Sequence, residues 1–120
     1  MNCFTTLAAL LALVLGVGCG KKASSDSESP LGFARDIKDI MARYCFECHG
    51  VKNKEAELDL RTVESILAGG ESGPAIVSGK PDESILFEMI HDEQMPPEGK
   101  MPGADDIERV RQWIASGAKP

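Results

Sequence analysis

Two cysteines and a histidine fall within five residues, Cys45-Phe46-Glu47-Cys48-His49. Residues three apart on a helix share a face, so both thiols meet on one side with an imidazole directly after them. Little else in the chain can organise a core. Of one Trp, one Tyr and four Phe, Phe4 lies in an uncharged apolar leader, which leaves Phe33, Tyr44, Phe46, Phe87 and Trp113 for the folded part. A domain of roughly ninety residues with so few aromatics leans on a disulfide, a metal or a cofactor to complete its burial.

The leader is read separately. Met1 to Gly20 carries no charged side chain, and the apolar run from Phe4 to Gly18 is too short to cross a bilayer comfortably and sits where a secretory h-region sits. Residues 1–18 are expected to be a signal peptide, and the protein to be exported to the periplasm or cell envelope. The run ends in Leu15-Gly16-Val17-Gly18-Cys19, which resembles the lipobox of bacterial lipoproteins. That resemblance implies acylation of Cys19 and a lipid anchor in a membrane. Residues 19–30 form a tether, because Lys21 to Pro30 holds no apolar side chain larger than Ala23 and cannot offset its ordering entropy. Residues 31–120 remain as the domain. Lys21 and Lys22 balance Asp26 and Glu28, so the whole net charge of −6 rests on this body. Nucleic acid is not expected as a partner, since phosphate binding needs a basic face.

Helical periodicity dominates the domain. Phe33, Ile37, Ile40, Met41 and Tyr44 fall on one face, predicting an amphipathic helix that runs straight into Cys45. Ile107, Val110, Trp113 and Ile114 form a second stripe, opened by Gly103 with Asp105 and Asp106 in its first turn and closed by Gly117. Between them Thr62 to Ala68 predicts a short helix stopped by Gly69-Gly70. Pro81 is placed as first residue of a helical segment holding Ile85, Leu86, Met89 and Ile90. No stretch alternates at period two for long, so the expected class is all-α.

Cys-x-x-Cys-His is the attachment pattern of c-type haem. Thiols one turn apart add to the two vinyl groups on one porphyrin edge, and the adjoining His49 reaches the iron. A thioredoxin-like pair lacks its βαβ setting, a Cys45–Cys48 disulfide is a second alternative, and zinc would find only His49 and His91 beyond these thiols. Haem is preferred. Gly69-Gly70-Glu71-Ser72-Gly73 has neither the preceding strand nor the Lys of a phosphate loop and reads as a turn.

Further blocks extend the pattern: Leu58-Asp59-Leu60-Arg61, the run from Gly69 to Leu86, Met95-Pro96-Pro97, and Trp113-Ile114 with Gly117-Ala118. Together with the haem pentad they resemble the planctomycete-type cytochrome c domain from about Met41 to Ala118. The resemblance implies a cytochrome c-like fold in which the first and last helices pack together around one covalent haem c, with Trp113 against the Phe33, Ile37 and Ile40 face. It also implies that the Pro74 carbonyl accepts the His49 Nδ1–H, although a plain turn proline fits the residues equally. Arg61 is read as an exposed arginine rather than a haem partner.

Four side chains compete to be the second iron ligand. Met89 lies on an apolar stripe and reads as core, His91 beside Asp92 and Glu93 reads as solvated, and Met101 sits just before the last helix. Met95 is preferred, because Pro96 and Pro97 stiffen the loop behind it and the resemblance points to the same residue. The expected function is one-electron transfer to unidentified redox partner proteins, with a haem peroxidase-like enzyme or a haem-bearing redox sensor module as alternatives.

Overall fold

Tertiary hydrogen bonds shape the start of the domain as much as helix propensity does. The computed structural model describes residues 29–120, and the leader, Cys19 and the tether as far as residue 28 lie outside the described residues. Where the periodicity predicts one helix from Phe33 to Tyr44, the chain winds Phe33–Ile37 as a π-helical turn and only then enters α1, Lys38–Tyr44. Two anchors account for the wider turn. The Gly32 N–H donates to the Asp36 carboxylate at 2.8 Å, and the Phe33 N–H donates to the Lys119 carbonyl at 2.9 Å, near the other end of the chain. Phe33, Ile37, Ile40 and Met41 still face one core.

Helix α2, Val63–Ala68, begins as its sequence directs. Thr62 Oγ1 accepts the Ser65 N–H at 3.1 Å while Ser65 Oγ accepts the Thr62 N–H at 3.3 Å, so two orphan donors are satisfied reciprocally. Gly69 ends it at a φ of +74°. Pro81 does start a helical turn, but only the short 3₁₀ turn Pro81–Glu83. Ser84 then takes an extended conformation before α3, Ile85–His91. The reason lies in the Ser84 hydroxyl, which is buried, accepts the Val77 N–H at 2.9 Å and donates to the Lys80 carbonyl at 2.8 Å. One continuous helix could not place it so.

Helix α4, Ala104–Ala115, carries Asp105 and Asp106 at its positive end. It closes in a Schellman motif: the Gly117 N–H donates to the Ile114 carbonyl at 3.0 Å and the Ala118 N–H to the Trp113 carbonyl at 2.9 Å. Gly117 makes this possible with a φ of +101°. Isolated bridges are the only extended pairings among the described residues, so the fold is all-α.

The two ends of the domain meet at Trp113. Its ring lies 5.6 Å from that of Phe33, centroid to centroid, and its indole N–H donates to the Lys119 carbonyl at 2.8 Å. Trp113, Ile114, Val110 and Ile37 are wholly buried there. Farther along, the Tyr44 hydroxyl donates to Asp106 at 3.2 Å and ties the end of α1 to the start of α4. Helix α3 packs against α4 as well. This frame leaves the end of α1 facing α3.

Candidate cofactor site

Helix α1 ends at Tyr44, and Cys45 to Cys48 follows it as a hydrogen-bonded turn. The Cys45 N–H donates to the Met41 carbonyl and the His49 N–H to the Cys45 carbonyl, each at 2.8 Å, so the cysteines stand one turn apart as their spacing requires. Gly50 follows because nothing larger fits: a Cβ there would run into the Phe46 backbone carbonyl. His49 is then pinned on its main chain. Its carbonyl accepts the Leu60 N–H at 3.0 Å, it pairs with Lys54 across an antiparallel bridge, and the neighbouring Cys48 carbonyl accepts the Glu55 N–H at 2.9 Å.

These residues open on a cleft of about 240 Å³. Cys45, Cys48 and His49 line it from the end of α1, and Leu58 and Leu60 from the loop beyond. Ile85, Leu86, Met89 and Ile90 line it from α3, with Met95, Pro96 and Pro97 following. The surface is almost wholly apolar, and Glu71 is the one lining residue that carries a carboxylate. No disulfide joins Cys45 and Cys48. Burial, and then the neighbouring Cys48, pushes the Cys45 thiol up to about 11, so it is protonated at neutral pH and is no reactive thiolate of the thioredoxin kind. Among the described residues no three His, Cys, Asp or Glu side chains are grouped to share a metal ion.

Of the four competing ligands, Met95 and Met89 line the cleft, whereas His91 and Met101 do not. His91 is exposed, with its Nδ1 2.9 Å from the Asp92 carboxylate. Met89 departs from its expected place in the core: it is half-buried and turned to the cleft, because the buried face of α3 is filled by Leu86, Phe87 and Ile90. Pro74 also departs from expectation. It is exposed, and His49 Nδ1 is buried with no hydrogen-bond partner, so the Pro74 carbonyl does not accept from it. The Ala75 N–H bonds the Ile66 carbonyl at 3.0 Å and Gly70 and Gly73 bond each other, which directs the loop's polar groups elsewhere.

Periodicity passed over one wall of the cleft. The turn from Gly69 to Gly73 supplies Gly70, Glu71, Ser72 and Gly73 to it, and a Cβ at Gly69 or Gly70 would strike the Gly73 or Ala56 backbone carbonyl. Paired glycines after a helix were the available signal, and they mark close backbone approach as well as a turn. Ala56 lines the same region at a φ of +54°, with Glu57 beside it at +57°.

Arg61 is engaged outside the cleft. It holds Asp59 in a two-pronged pair at 2.9 and 2.7 Å, and Lys54 Nζ lies 3.4 Å from the same carboxylate. The Arg61 hydrogen bonds keep the Asp59 carboxyl well below the usual carboxylate range, and Arg111 and then Gln112 bring Glu108 down to about 2. A group with a depressed folded pKa stabilises fully above its unfolded pKa and loses that contribution as pH falls through the folded value. Thermal stability should therefore hold near neutrality and decline below about pH 4, and Asp59→Asn should flatten part of the decline. A scan of unfolding temperature against pH that is level down to pH 2 would refute this.

The cleft fits haem by its chemistry. It is apolar, two thiols stand one turn apart at its edge, and an imidazole and soft thioethers line it together. An all-α chain with this arrangement carries a c-type cytochrome domain. The family model for Planctomycete cytochrome C matches residues 45–99 of the chain. The family implies covalently bound haem c with iron. No curated protein and no solved structure matches the chain.

Proposed function

We propose that this protein is an electron carrier with a cytochrome c-like fold, holding one haem c through Cys45 and Cys48, with His49 and Met95 as axial ligands. The observation that carries the reading is the presence of both thiols, His49 and Met95 on one apolar cleft. The bound group supplies a one-electron iron couple. Cys45 and Cys48 tether it, and Leu58, Leu60, Leu86 and Ile90 keep water from it. A thioether opposite an imidazole favours the ferrous state and raises the potential. Of the lining groups that could do acid–base work, the Tyr44 hydroxyl is committed to Asp106, which leaves the Glu71 carboxylate.

The acidic body, with its net charge of −6, steers partners that present a basic patch, with a strong salt dependence. The leader directs export, and acylation at Cys19 would hold the domain at a membrane by the tether of residues 19–30. Absorbance spectra of the oxidised and reduced holoprotein test the central reading. A low-spin iron indifferent to peroxide and carbon monoxide is expected. Ready binding of either would move the protein to the peroxidase-like reading.

A further inference from the structure

The groups around the mouth of a cleft decide which surfaces can approach it. Met95 lines the cleft and is 37% exposed, so an apolar side chain reaches the surface at that opening. Its surroundings are acidic. On its own loop Asp92, Glu93 and Glu98 are exposed. Glu71 stands on another wall, where its N–H donates to the Ala56 carbonyl at 2.8 Å and so sets Glu55 and Glu57, also exposed, beside it.

Little positive charge offsets this rim. Asp92 lies 2.9 Å from the His91 ring, but among the described residues no ion pair engages Glu55, Glu57, Glu71, Glu93 or Glu98. Lys54 is turned to Asp59 at 3.4 Å, which leaves Lys52 and Lys100 as the exposed lysines nearest in sequence. Glu57 and Glu93 hold φ of +57° and +56°, where glycine would be the least strained residue. Strained positions of this kind gather at functional surfaces. An apolar centre within an acidic rim repels a second copy of itself and the anionic face of a bilayer. It fits a protein whose own redox centre opens among lysines or arginines.

We propose that the acidic rim around Met95, formed by Glu55, Glu57, Glu71, Glu93 and Glu98, is the docking surface for an electron-exchanging protein with a basic face. The inference rests on the carrier reading and gives it a place and a partner chemistry. One electron crosses at the mouth, so this protein is oxidised by one and its partner reduced by one, and no bond forms or breaks. The test mixes reduced holoprotein with an oxidised, lysine-rich cytochrome c as the probe and follows the second-order rate against ionic strength. Neutralising three rim acids together, Glu71→Gln, Glu93→Gln and Glu98→Gln, should slow the reaction about tenfold at low salt and flatten its salt dependence. A control removes as much charge elsewhere through Asp39→Asn, Asp82→Asn and Asp105→Asn, at residues that are exposed and do not line the cleft. It should slow the reaction by no more than about threefold. Both variants should keep the wild-type absorbance spectrum. Equal slowing by the two triples, or a rim variant that matches the wild type at every ionic strength, overturns the inference while leaving the carrier reading intact. A holoprotein dimer that only the rim triple dissolves would assign the mouth to a second copy and overturn it too. A wild type without covalent haem overturns the carrier reading, and the inference with it.

Discussion

Replacing Cys45 or Cys48 with Ala is expected to give a chain that loses its haem on acid–organic extraction and is poorly folded even before it. Wild-type haem should stay on the polypeptide through both extraction and denaturing electrophoresis, because two thioether bonds hold it. The size of the folding defect follows from the cleft. Leu58, Leu60, Leu86 and Ile90 line it; Leu60, Leu86 and Ile90 also pack in the chain's own core, so loss of haem removes only the contacts made across the cleft, part of the about 1.5–3 kcal/mol that burying each such side chain contributes. Loss of helical circular dichroism and of cooperative unfolding would accompany the loss of haem. If haem extracts freely from the wild type, or two free thiols titrate at Cys45 and Cys48 in the purified holoprotein, covalent attachment is refuted.

Met95→Ala should remove the weak sulfur-to-iron band in the near infrared of the oxidised protein. When reduced, the variant should bind carbon monoxide, which the wild type does not. Stability should change little, since Met95 is 37% exposed and gives up only part of a buried side chain's contribution. The loop that presents it is well held. The Met95 N–H donates to the Met89 carbonyl at 3.0 Å and the Gln94 N–H to the same oxygen at 2.9 Å, and Pro96 and Pro97 restrict the chain beyond. Met89 is the informative control because it lines the same cleft. Met89→Ala should keep the band. A band that survives Met95→Ala and vanishes in Met89→Ala would transfer the ligand to α3.

Much of the site was legible without a structure, and the misses share a cause. Cys45, Cys48 and His49 all line the cleft, because a three-residue spacing is a statement about one turn of chain. Met95 was chosen for its prolines, and it does line the cleft. Met89 was read as core because its stripe on α3 is apolar throughout, and periodicity cannot distinguish an apolar core from an apolar cleft. Arg61 was read as exposed, and no local pattern showed that it grips Asp59. Pro74 was placed by likeness alone, whereas its carbonyl depends on how a glycine turn closes.

The sequence by itself determined what contacts within a few residues govern. These are the thiol and imidazole constellation, the Thr62 and Ser65 cap of α2, the acidic opening and Gly117 closure of α4, and an all-α class without room for a sheet. Tertiary structure alone decided what depends on distant segments meeting. The Lys119 carbonyl and Trp113, some eighty residues along the chain, draw Phe33 into a π-helical turn. The Gly69 to Gly73 turn closes against Ala56 to wall the cleft. A hydrogen bond between residues far apart in the chain forms only once packing has brought them together, so no local propensity announces it.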